Sequence, residues 1–365
     1  MKKVNIVILM CLMMFQIVSF AGDTEIINYE DAVKILLENN SEIENLKKQI
    51  EIQKEIIIEV DNDASRLDGF VSEDEDKINE RGTAVYVEPI IARNKLNNLE
   101  RTLKDKEYNL KQGVLDFYVD FIKRENQIDL YKEVIEVQQK SLDQMKLKKD
   151  LGELTSDELL VYQIELEKAI KDLEKAQRDW HIKMMDFNYL INDTLVVLYT
   201  PELTDVEKVL NDSYIDIGSI DIKKITENNL ANDALLADYN ENIPMYEKQK
   251  FVERLDPANA SAYLNYETNF KNNEFDISRR NKVIKYQVIS DYDDLKNKLI
   301  DIKLAQNTLS LLKNKQETTQ LKFDVGMATS LDMITVKKEL KKSENDVINA
   351  LNMFYKAYQD FTRYY

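Results

Sequence analysis

From residue 114 onward, apolar side chains return at every seventh position. Val114, Phe121, Ile128, Ile135 and Leu142 form one line. Leu159, Leu166, Leu173, Trp180 and Phe187 form the next, beside a second seam of Tyr162, Ala169, Ala176 and Leu190 that Lys183 interrupts. The spacing then recurs: Val288, Leu295, Ile302 and Leu309, followed by Met333, Leu340, Val347, Phe354 and Phe361, with Val336, Ser343, Ala350 and Ala357 alongside. Sustained seven-residue spacing predicts left-handed coiled-coil packing. The small residues of the second seams let neighbouring helices approach closely.

Each series is interrupted once, at a glycine. A rod over Glu88–Asp150, with Pro89 in the first turn where proline is tolerated, spans about 90 Å at helical rise. Gly152 then stands where a C-cap glycine belongs. Thr155 or Ser156 can cap the return helix, with Asp157 and Glu158 in its positive first turn. Gly326, Thr329, Ser330 and Asp332 repeat the arrangement. Shorter helices precede the rods, over about 29–67 and 220–253.

The two arrangements are one unit written twice. Lys148, Asp150, Gly152, Thr155 and Ser156 match Lys322, Asp324, Gly326, Thr329 and Ser330 at an offset of 174. Glu165-Leu166 and Glu339-Leu340 continue the alignment; Val114, Tyr118 and Asp120 extend it upstream to Val288, Tyr292 and Asp294. Glu38-Asn39-Asn40 echoes Glu227-Asn228-Asn229 at an offset of 189. The order predicts a tandem duplication: repeats over 22–200 and 201–365, an all-α fold of long coiled-coil hairpins, and both turns at equal height at one end.

Composition agrees. Seven Gly and four Pro in 365 residues are about 3%, against roughly 12% in average proteins. That excludes sandwiches and propellers. Fifty Lys+Arg against 67 Asp+Glu leave a net charge of −17, which argues against a nucleic-acid partner. One His and one Cys exclude a His-dependent triad, a Cys/His zinc site and a disulfide scaffold. Carboxylates abound, but no pocket-forming loop pairs two, so the chain reads as no enzyme and calls for no cofactor. His181 beside Trp180 and the tyrosines Tyr355, Tyr358, Tyr364 and Tyr365 read as helix-end packing. The acidic run at 73–76 reads as a solvated loop.

Residues 1–21 read as an export signal: Lys2 and Lys3, an apolar run, then Ser19-Phe20-Ala21 before Gly22. The alternative is an uncleaved anchor, for which a run of about 17 residues is short. Cys11 lies inside it, after Met10, a poor setting for lipidation. No later segment is apolar enough for a membrane helix.

With its 29–40 helix, its twice-written turn and its alanine-seamed return helices, the chain resembles the TolC-type outer membrane efflux family over nearly its whole mature length. The resemblance implies a homotrimer whose twelve long helices form a hollow barrel. It implies that a periplasmic adaptor and an inner-membrane or ABC-type pump dock at the turns: Leu151, Gly152, Glu153, Leu154, Thr155, Ser156 and Asp157, with Val325, Gly326, Met327, Ala328, Thr329, Ser330, Leu331 and Asp332. The other reading of those residues is a plain turn, which needs the same Gly and Thr. One departure is visible. Family members insert two spanning strands before each rod, and each strand needs about 9–11 alternating residues. Here 68–87 offers only 83–87 as strand-like, and 256–273 offers 260–266. A TolC-like protomer with little or no β-barrel is therefore expected, exported to the cell envelope. Two functions fit: a passive efflux conduit, or a non-conducting helical brace.

Overall fold

The computed structural model describes residues 24–68, 75–191, 198–212, 217–254 and 260–364. The expected export signal lies outside them. In chain order the elements are β1 (Thr24–Ile27), α1 (Tyr29–Asn39), α2 (Ser41–Leu67), α3 (Glu75–Tyr86), α4 (Glu88–Asp150), α5 (Ser156–Ile191), β2 (Leu198–Pro201), α6 (Leu203–Asp212), a 3-10 turn (Ile217–Ser219), α7 (Ile222–Asn232), α8 (Ala234–Glu253), α9 (Ala260–Asp324) and α10 (Ser330–Phe361). Helix accounts for 91% of the described residues.

The first rod, α4, has the predicted bounds and 63 residues; its counterpart α9 has 65. The return helices are about half as long, 36 and 32 residues. The uncovered half of each rod is taken by a helix that precedes it. Four columns result: α5 and α2 end to end, then α4, then α10 and α8 end to end, then α9. Arg101 of α4 ties in α8 through Glu241, at 2.8 Å, and Asp238. Arg93 of α4 reaches Asp61 of α2 at 2.6 Å. The outermost columns are α9 on one side and α5 with α2 on the other.

Caps explain where the shorter helices break. Asn28 accepts from the Asp31 amide and Asn40 from those of Glu42 and Ile43; Asp221 and Asp233 do the same for Lys224 and Leu236. Side-chain oxygens satisfying first-turn amides are what start a helix. These caps pair Asn40 with Asp233, one helical turn away from the Asn40–Asn229 echo in the sequence. α1 and α7 each have 11 residues between their caps.

The heptad lines are buried as expected where the columns meet. Val114, Phe121, Leu142, Val288, Leu295 and Ile302 are all buried, as are Phe187, Met333, Phe354 and Phe361. The main core sits halfway along the rods, where Phe187 meets Tyr118 and Phe121 edge-on at 5.6 Å. Around it lies a collar of α1, α6, α7 and a parallel pair of β1 and β2. The repeated tyrosines hold the collar in equivalent ways. Tyr118 donates to the Ile27 carbonyl at 2.8 Å and Tyr292 to that of Ile217 at 3.4 Å. Asn188, 1% exposed, fixes β2 by donating to the carbonyls of Met184 and Tyr199 and accepting from the Tyr199 amide. Trp180 packs on Phe121, while His181 is exposed.

Neither strand-like stretch forms a strand. Residues 83–86 belong to α3 and 260–266 open α9. Tertiary packing overrides β-propensity here. Gly82 lets α3 lie so close to α8 that a Cβ would stand 2.9 Å from the Val252 Cγ1, and Tyr86 meets Phe251 edge-on at 5.4 Å. The expected scarcity of strands holds. No helix among the described residues is long and apolar enough to cross a membrane.

Candidate functional site

Both turns are built alike. Gly152 has φ 78° and Gly326 φ 76°, a left-handed conformation that glycine adopts without steric cost. The amides of Gly152 and Glu153 donate to the carbonyls of Lys149 and Lys148, both at 2.9 Å; those of Gly326 and Met327 donate to Phe323 and Lys322 at 3.0 and 2.7 Å. This is the Schellman arrangement, which satisfies carbonyls the helix end leaves bare.

The return helices start with capping boxes. Thr155 rather than Ser156 is the first cap, and its partner is Glu158 rather than Asp157. The Thr155 amide donates to the Glu158 carboxylate at 2.8 Å and the Glu158 amide to the Thr155 hydroxyl at 3.3 Å. Thr329 and Asp332 do the same at 2.8 and 3.1 Å. The bonds from Thr155, backbone first, hold the Glu158 carboxyl below its usual range. Those from Thr329, hydroxyl first, do so for Asp332.

The remaining turn residues divide by exposure. Leu151 (75%), Val325 (69%), Met327 (78%) and Leu331 (71%) are open to solvent. Glu153, Ser156 and Asp157 are exposed as well, and Ser330 is half-buried. Leu154 and Ala328, which the resemblance places among the docking residues, are half-buried too. Ala328 leans on a cluster containing Phe323, Met333 and Ile334. That cluster also takes in Leu130, Val134 and Val137 of α4, so the second turn rests against the side of the first hairpin.

The turns share one end but not one height. Lys337 of α10 reaches Glu133 of α4 at 2.6 Å, and Glu339 is reached by Lys315 of α9 at 2.6 Å. From the level of Lys337 and Glu133 the run to Gly326 is about eight residues shorter than the run to Gly152, so the second turn stops ~12 Å short. The equal height expected from the repeat is lost because α10 packs on α4 through its own apolar seam, which sets the register between hairpins independently of that within them.

The two outer edges are equivalent to the buried seam between the hairpins. That seam packs Leu130, Val134 and Val137 of α4 against Met333 and Ile334 of α10. At the 174-residue offset the same places are Leu304, Thr308 and Leu311 on α9 and Leu159 and Leu160 on α5. Leu304 is 64%, Leu311 67% and Leu160 51% exposed. Exposed Ile300 and Tyr286 continue the α9 edge; Val161, Ile164, Ile182 and Met185 continue the other.

The chain matches no family model and no curated protein sequence. Solved structures do match. The outer membrane protein VceC from Vibrio cholerae aligns at a TM-score of 0.59 and 9% identity, over 92% of this chain and 95% of that one. CusC, described in terms of transmembrane channel formation, aligns at 0.62 and 10%, over 93% of each chain. The CmeC outer membrane channel of Campylobacter jejuni aligns at 0.59 and 12%, over 94% and 88%. This is the TolC-type fold. The resemblance seen in the duplicated turns and alanine seams thus extends to the architecture of the chain, with all four columns of the TolC-like protomer present.

Proposed function

We propose that the chain is one protomer of a closed helical tube in the cell envelope, a passive conduit of an efflux or secretion system. One observation carries this reading: Leu304, Leu311 and Leu160 lie exposed on opposite edges at places whose counterparts are buried inside the chain. A second copy laid edge to edge would bury them as α10 buries Leu130 and Val137. Such a contact joins two different surfaces, and repeated contacts of that kind close a ring when the rotation allows. The edges also match in length: α9 has 65 residues, and α5 and α2 have 36 and 27. The TolC-like fold suggests three copies.

The turns then gather at one mouth of the tube. Exposed Leu151, Val325, Met327 and Leu331 make an apolar rim, and clustered exposed apolar residues mark interaction sites. We assign the rim to an adaptor that couples the tube to an inner-membrane or ABC-type pump. Pull-down of a co-expressed adaptor tests this: Leu151→Glu with Met327→Glu should abolish capture while helicity is kept. Capture at the unmodified level would mean that these are turns and nothing more. The second reading, a non-conducting brace, draws on the helices α3 and α9 standing where the resemblance places spanning strands. A monomer in solution would favour it.

A further inference from the structure

The duplication carries a groove as well as a turn. Each hairpin has one between its rod and its return helix, at equivalent places. The first is lined by Arg124, Gln127, Tyr131, Asp172 and Lys175, the second by Lys298, Asp301, Ala305, Asp346 and Asn349. The first encloses about 150 Å³ and the second about 320 Å³. The second also extends over Leu304 and Thr308, whose counterparts Leu130 and Val134 are not part of the first, and one substitution separates the two floors. Tyr131 puts a phenol ring where the second groove has only the methyl of Ala305.

The lining chemistry differs as well. Ala169 in the first hairpin becomes Ser343 in the second, 3% exposed, lining the groove with a hydroxyl that has no partner. A buried hydroxyl costs stability unless it is hydrogen-bonded, and the first hairpin shows that the packing itself needs only alanine. The first groove balances Arg124 and Lys175 against Asp172 and Asp179. The second sets Asp301 and Asp346 against Lys298 alone, because Asn349 replaces Lys175; Arg124 and Lys298 are each paired on their own helix, with Asp120 at 3.0 Å and Asp294 at 3.3 Å. Met353 replaces Asp179, so one wall turns apolar.

We propose that the groove between α9 and α10 binds a small aromatic cation. Tyr131 shows which shape fills the equivalent space. A ligand ring would rest on Ala305, Ala350 and Met353, its charge would face Asp301 and Asp346, and a polar substituent would engage Ser343. Leu304 and Thr308 form the outer rim of the second groove. The first groove persists with their counterparts Leu130 and Val134 covered by α10, so ring closure through Leu304 would narrow the second groove from that rim without filling the space at Ala305. The site lies within one chain and stands or falls independently of the tube.

Ethidium is the probe, titrated into the purified chain and read by fluorescence anisotropy. One site per chain is expected, weakened by salt. Ala305→Tyr should lower affinity at least tenfold. Asp301→Asn with Asp346→Asn, both exposed positions, should weaken binding about as much and reduce the salt dependence, with circular dichroism unchanged. Copying the second lining into the first groove, as Gln127→Asp, Tyr131→Ala, Ala169→Ser, Lys175→Asn and Asp179→Met together, should raise the stoichiometry to two. Absence of binding by the unmodified chain overturns the proposal. So does affinity unchanged by Ala305→Tyr in a folded protein. If Ala305→Tyr does not fold, unchanged affinity in the carboxamide pair overturns it.

Discussion

Leu130 and Leu304 occupy the same place in the two halves of the chain, yet Leu130 is 5% exposed and Leu304 64%. The difference is what lies alongside: α10 covers the first, and nothing among the described residues covers the second. Leu130→Glu should therefore destabilise the protomer by at least ~3 kcal/mol, since it buries a charge in an apolar cluster. Leu304→Glu should leave the protomer within about 0.5 kcal/mol while weakening assembly. Denaturant melts of both variants at a concentration where the protein is monomeric check this; equal losses would contradict it.

The stagger between the turns is directly measurable. Spin labels at Glu153 and Met327 should lie about 25 Å apart, combining the ~12 Å axial offset with neighbouring helix spacings. A distance near the ~95 Å rod length would place the turns at opposite ends and exclude a shared mouth.

Three kinds of glycine should respond differently to alanine. Gly152 and Gly326 have open space around a new Cβ but positive φ, so each substitution should cost about 1 kcal/mol from backbone strain alone. Gly82→Ala should cost about 1–3 kcal/mol by overpacking on Val252, and Val252→Ala in the same chain should recover part of it. Gly113, mid-helix with nothing near its Cβ, should stabilise by about 0.5–1 kcal/mol when replaced by alanine. Thermal melts of the four variants test the order.

Acid should loosen the turns before the rods. Glu158 and Asp332 are held below their ordinary values of 4.5 and 3.8. Their caps contribute stability above those values and lose it as pH falls through the lower folded ones. Asp291, pushed up by burial and then by Asp294 and Asp360, acts with the opposite sign, because its charge is relieved as pH falls. Hydrogen exchange corrected for intrinsic rates should show 152–159 and 326–333 losing protection between pH 6 and pH 3 while the rod centres keep theirs. Unchanged protection at the turns would contradict the capping account.

Much of this was legible along the chain, because heptads, glycines and caps are local signals. The bounds of α4 follow from Pro89 and Gly152, and the turn geometry from Gly152 and Gly326. The collar strands were not legible. β1 and β2 have four residues each and pair across the whole first repeat, so no local period announces them. Asn188 was the available signal, a polar residue beside Phe187 on a buried line. The helical state of 83–86 was hidden for a similar reason, since its cause is a contact with Val252 far along the chain. The exposure of Met327 over Ala328 depends on the lean of the second turn against the first hairpin, which heptads within a hairpin do not encode. The grooves escaped notice because only the aligned pair Tyr131 and Ala305 reveals them.

The tube stands or falls on whether the two edges meet, and mass in solution reports that most directly. Chain lacking residues 1–21, purified without detergent, should sediment at micromolar concentration as a stable trimer, and Leu304→Glu should convert it to monomer with helicity unchanged. A monomeric mass for the unmodified chain under the same conditions would contradict the closed tube.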